Sequence, residues 1–141
     1  MKPRNYFFEI MFVAFLCLSL VSCGVSMIKG QKWLDSKTEK PEINISGVWI
    51  SHEWGTATFK QEDNKVTGML GDYPVKGVVS GNSIYLLMYS QDSIHYSADL
   101  KLSDKETFNG FYSKYGIIDE VIHDQGYITR PMSLKRMSTL P

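Results

Sequence analysis

The chain is short of several things, and each shortage removes a class of protein. Only two of its 141 residues are cysteine, Cys17 and Cys23. That is too few for the several bridges that hold small secreted scaffolds together, so stability must come from packing. Neither sign of charge predominates: fifteen Lys and Arg balance fifteen Asp and Glu, whereas a nucleic-acid binder would need a basic face. No apolar run reaches the roughly 20 residues that span a bilayer core of about 30 Å. The longest, Ile10 to Ser22, covers roughly 20 Å as a helix at about 1.5 Å per residue. Nucleophile elbow, phosphate loop and thiol nucleophile are all missing. His52, His95 and His123 lie too far apart in sequence to form a helical or zinc-finger ligand pair. No catalytic residue, metal site or cofactor is therefore expected. The acid–base groups that remain are His52 with Glu53, and His123 with Asp119, Glu120 and Asp124, and acids beside turns are ordinarily just solvated.

What is present begins with an address. Lys2 and Arg4 precede the apolar stretch as the basic leader of a secretory signal does, and Leu20-Val21-Ser22-Cys23-Gly24 closes it. That closing segment resembles the lipobox of bacterial lipoproteins. The resemblance implies that residues 1–22 are a signal peptide removed on export, that the Cys23 thiol carries diacylglycerol, and that the new amino group is acylated too, with palmitate as a suitable label. One acyl chain binds a membrane marginally, whereas two or three hold firmly at about 0.8 kcal/mol per buried methylene. Gly24 stands where an aspartate would favour inner-membrane retention, so the expected location is the outer membrane, facing the periplasm, in an organism that has two membranes.

Cutting the first 22 residues leaves 119 of the 141, enough for one domain with one core. Residues 23–44 read as the lipidated N-terminus and a flexible tether, with Lys29, Lys32, Lys37 and Lys40 among Gly30, Ser36, Thr38 and Pro41. A flexible linker of about 20 residues reaches roughly 25 Å. The alternative is that Trp33 and these lysines lie on the membrane as an interfacial segment.

From residue 45 to 141 the chain reads as short strands divided by turn residues. The expected strands are Gly47–His52, Thr56–Gln61, Lys65–Leu70, Tyr73–Ser80, Ser83–Tyr89, Ser93–Leu102, Glu106–Ser113 and Met132–Met137. Connections of two to four residues force antiparallel neighbours. The expected fold is thus all-β, a small antiparallel up-and-down meander barrel of about eight strands, which leaves no open edge; a two-sheet sandwich is the alternative. Gly68, Gly77 and Gly110 fall inside strands, where a missing side chain allows sharp coiling. Residues 115–125 suit either a short amphipathic helix over 116–124 or an irregular strand.

Gly47-Val48-Trp49 resembles the Gly-x-Trp of the lipocalin and avidin group of barrels. The resemblance implies that Trp49 plugs the closed barrel end beneath a basic residue of the last strand, Arg136 or, as second choice, Arg130. An eight-stranded barrel is either filled by side chains or holds one small ligand, and Tyr73, Tyr85, Tyr96, Phe108 and Tyr112 are large enough to fill it. Ile84 to Tyr89 is apolar on both faces, so its outward side needs cover from the tether, from residues 117–122, from a partner or from lipid. Tyr73, Tyr85, Leu87, Tyr89, Tyr96 and Tyr112 are accordingly the candidate ligand or partner surface. Ser80-Gly81-Asn82-Ser83-Ile84-Tyr85 also resembles the serine-bearing loop of the membrane-bound lysozyme inhibitors, which enters the enzyme's cleft. Function is expected to be non-enzymatic: a lipid-anchored envelope protein that binds a small apolar ligand or an envelope component. A protein-interaction or inhibitor module with a filled barrel is the alternative.

Overall fold

In the computed structural model, residues 25–114, 116–121 and 129–137 are described. The leader, Cys23, His123 and Asp124 lie outside them. The described elements are β1 (Val25–Ser26), α1 (Met27–Asp35), β2 (Gly47–Ser51), β3 (Gly55–Glu62), β4 (Lys65–Leu70), β5 (Tyr73–Ser80), β6 (Ser83–Ser90), β7 (Ser93–Asp104), β8 (Thr107–Lys114), α2 (Ile118–Val121) and β9 (Thr129–Arg136). No helix among them is long and apolar enough to cross a membrane.

Strands β2 to β9 form a closed antiparallel up-and-down barrel, each paired with its neighbours in sequence and β9 returning to β2. Two-residue turns do most of the joining. Gly71 and Gly81 adopt φ of 57° and 56° there, a left-handed conformation that costs glycine nothing. The seam between β2 and β9 is the shortest, with only Trp49 opposite Arg136 and Ile50 opposite Lys135. Pro131, inside β9, lies beyond that seam, so its missing amide removes no bond to β2.

Alternation along each strand sends one set of side chains inward. On β6, Ile84, Leu86 and Met88 join the interior while Tyr85 and Leu87 face out. The interior is solid through its middle: Ala57, Val66, Leu70, Val79, Leu86, Met88, Ala98, Leu100 and Leu134 have no solvent-accessible surface. A void large enough for water would leave accessible area on the residues lining it. Small inward residues make this density possible. At Gly68, φ is 153° and an added Cβ would collide with the Thr58 carbonyl, so β3 and β4 approach more closely there than any side chain allows.

The segment expected to be a flexible tether is ordered from Val25 onward. β1 pairs Val25 with Ile94 and Ser26 with Ser93. The Ser26 hydroxyl then caps α1, accepting from the Lys29 amide at 3.3 Å. Apolar positions at Met27, Gly30, Trp33 and Leu34 line one face of α1, the spacing of a helix packed on a surface. Gly30 makes the packing possible: a Cβ there would strike the side chains of Ile94 and Leu87. Residues 37–44 continue down the wall and pass under the barrel, where Ile45 enters the core ahead of β2. Trp33 is 8% exposed and lies against the barrel, which overturns its alternative assignment to the membrane surface.

Candidate functional site

Four regions of the barrel are candidates: its two ends, the wall beneath the helices and the wall left bare. At the closed end Trp49, 1% exposed, donates its indole N–H to the Ile45 carbonyl at 2.8 Å. The Arg136 guanidinium lies 4.3 Å from the centre of the Trp49 ring and donates to the Ser46 and Asn44 carbonyls at 3.0 and 2.7 Å. Gly47 begins the strand at φ of 128°, a conformation that L side chains rarely adopt. Gly47, Trp49 and Arg136 thus build a plug whose indole and guanidinium are hydrogen-bonded to carbonyls of the chain itself. Arg130 sits on the exposed far part of β9, opposite Tyr112.

At the other end the turn after β2 folds Trp54 edge-on against Tyr73, Tyr96 and Tyr112, with ring centres 5.8, 4.7 and 5.2 Å away. Three of the six candidate surface residues therefore meet around a tryptophan that sequence reasoning passed over as part of a turn. The Trp54 indole N–H is shielded from solvent and has no hydrogen-bond partner. Glu53 next to it closes the top of the short seam. Partial burial pushes its carboxyl up, but hydrogen bonds from the Ser51 hydroxyl and from the backbone N–H groups of Glu53 and Ser133 hold it below the usual range.

Tyr85 and Leu87 face the other way. They lie on the outer wall under α1 and Ile117–Ile118, in a cluster with Trp33, Leu34, Val78 and Ile94. Tyr89, opposite Ile94 on β7, is half-buried. The assignment of Tyr85 and Leu87 to an exposed ligand or partner surface is thereby corrected: the chain's own helices cover them. Polar fasteners hold this cover. Asp119 accepts from the Trp33 indole and from Lys37, each at 2.7 Å, and the Lys37 ammonium stands 4.5 Å from the centre of the Tyr85 ring. The Ser97 hydroxyl donates to the Gly116 carbonyl and accepts from the Ile118 amide.

Asp99, on the same wall, is the misfit. Burial pushes its carboxyl up and the Asp119 charge pushes it further, with Lys37 offsetting only part. A raised carboxyl costs stability once ionised and costs nothing when protonated. Asp99→Asn is therefore expected to raise Tm by about 2–4 °C at neutral pH. The gain should shrink as pH falls through the titration of Asp99, which a melting series across acid pH would reveal.

The bare wall lies opposite. Val48, Thr58, Met69 and Pro74 stand in one cross-strand row over β2 to β5. Val48 is 39% exposed, Met69 44%, and Ile50 and Met137 beside Val48 are 47% and 45% exposed. No signal in the sequence marked this face, because Val48, Ile50 and Met69 each sit beside a buried core residue and meet one another only through strand register.

No group of three or more His, Cys, Asp or Glu among the described residues could hold a metal ion. Asp119 is committed to Trp33 and Lys37, and His52 is exposed on the loop. The lysozyme-inhibitor-like loop is occupied as well: Ser80 Oγ accepts from the Glu39 amide at 3.0 Å and the Gly81 carbonyl from the Glu42 amide at 2.9 Å. An open groove of about 600 Å³ runs between α1 and β4–β5, lined in part by Gln31, Asp35, Lys65 and Lys76. No family model, curated protein or solved structure matches the chain.

Proposed function

We propose that this protein is a non-enzymatic lipoprotein of the bacterial envelope, anchored through Cys23, whose solid barrel binds another envelope protein through the bare wall of β2 to β5. The single observation that carries the reading is the contrast between a filled interior and four large apolar side chains, Val48, Ile50, Met69 and Met137, exposed together on one outer wall. A ligand-carrying barrel needs space beneath its open end, and here the middle of the barrel has none. Apolar side chains spread over one face, among polar neighbours, are in contrast a common basis for protein contacts. Kinship to the lipocalin group is part of the proposal, supported by the Gly47-Val48-Trp49 plug under Arg136. The outer membrane, facing the periplasm, remains the proposed location on the strength of Gly24.

The test combines three measurements on protein expressed with its leader. Labelled palmitate should appear on the wild type and vanish in Cys23→Ala. A photo-crosslinking residue at Met69 should yield one discrete protein adduct in cells, lost when Val48 and Ile50 are changed to serine. Native mass spectrometry of the protein extracted from its own membrane should show no stoichiometric small molecule; finding one would sink the solid-barrel reading.

A further inference from the structure

We infer that the exposed face at the start of α1, made by Ile28, Lys29 and Lys32, is a membrane-contact surface that rests on an anionic lipid leaflet. The inference depends on the proposed lipid at Cys23 and adds the orientation in which that lipid holds the barrel.

Chain length carries the first step. Val25 is already paired with Ile94 on the barrel wall, and Cys23 is only two residues earlier. Two residues span at most about 7 Å even when fully extended. A lipidated Cys23 would therefore hold the barrel on the leaflet, not about 25 Å above it as a flexible tether would allow. The part of the surface around Val25 must meet the headgroups.

Composition carries the second. Ile28 is 72% exposed, the largest value among the exposed large hydrophobics of the described residues. It lies three positions after Val25, on the face of α1 turned away from the barrel. Lys32 is exposed on that same face, at i+4 from Ile28, and Lys29 is exposed on its flank, at i+1. The inner face of the helix is spent on Gly30, Trp33 and Leu34. An apolar side chain with two lysines close by suits the boundary of an anionic leaflet, where the isoleucine enters the acyl border and each ammonium gains from the surface potential. Asp35, the one acid on α1, lies at the far end of this face, at i+7 from Ile28, where it accepts from Gln31 at 2.7 Å.

The experiment uses the full chain, exported, acylated and reconstituted in vesicles of phosphatidylethanolamine and phosphatidylglycerol that carry brominated acyl chains. A bimane label is placed at Ile28→Cys, at Lys32→Cys as a second position on the same face, and at Lys105→Cys in the β7–β8 turn as a distant reference. Mass spectrometry of each product reports acylation. Quenching at 28 and 32 is expected to exceed that at 105 by about threefold or more, as burial near the acyl border requires. Lys29→Glu with Lys32→Glu should weaken quenching of the 28 label in these vesicles and leave it unchanged in phosphatidylcholine. An acylated protein whose label at 28 is no more quenched than that at 105 overturns the orientation and leaves the anchor standing. A chain that carries no acyl group overturns the anchor itself.

Discussion

Trp49→Ala is expected to lower the free energy of unfolding by about 3–5 kcal/mol, the range for removing a large buried aromatic. Nearly the whole side chain is lost from a site that is 1% exposed, packed on Phe108 with ring centres 5.3 Å apart. The Arg136 guanidinium loses the ring beneath it, and the Ile45 carbonyl loses its indole donor. Relaxation into the gap is restricted, because Arg136 is held by the Asn44 and Ser46 carbonyls and the strands around it are locked in a closed barrel. A domain of this size has about 5–15 kcal/mol to lose, so the variant should be only marginally folded at 37 °C. Urea titration followed by far-UV circular dichroism measures the change. Arg136→Met separates the contributions: it keeps much of the packing and removes the charge and its hydrogen bonds, and should cost about 1–3 kcal/mol. A loss below 1 kcal/mol for Trp49→Ala would mean that the plug does not hold the barrel end together.

The strands could be read from the sequence because three local signals agreed on each: period-two alternation, turn residues at both ends and short connections. β4 and β5 have the expected bounds, and most other ends move by one or two residues. The largest shift is β9, which starts at Thr129, before Pro131. Pro131, just before the expected Met132 start, sits where no β2 amide ladder runs. Ile84 to Tyr89 was also informative, since apolar residues on both faces require an outer cover.

The cover itself was not legible. α1 has only Trp33 and Leu34 as large buried residues, and its point of closest contact is a glycine, which in a polar, lysine-rich stretch reads as linker. Gly30 signals helix packing only once Leu87 and Ile94 are known to lie beneath it. Trp54 was hidden for a related reason: a turn residue reveals nothing locally about tyrosines on β5, β7 and β8. The bare wall escaped because Val48 and Ile50 on β2 and Met69 on β4 come from strands separated by β3, and their adjacency is a property of register across the barrel. In each case the missing information was a long-range contact, which periodicity cannot carry.

Trp33→Ala is expected to cost about 2–4 kcal/mol, somewhat less than a fully buried core tryptophan because α1 can come away without opening the barrel. The ring is 8% exposed, meets Tyr85 edge-on with centres 5.6 Å apart and donates to Asp119. Once it is gone, Leu34 and Gly30 are what remains of the buried face of α1, and such a short helix is not stable alone in water. The predicted state is a closed barrel with its outer wall of Val78, Tyr85, Leu87 and Ile94 bared. Hydrogen exchange should then show lost protection in α1 and in Ile118 while β3 and β4 stay protected, and a dye that fluoresces on apolar surfaces should bind the variant at neutral pH. Loss of protection in all strands together would show instead that helix and barrel unfold as one unit, with α1 an integral part of the fold.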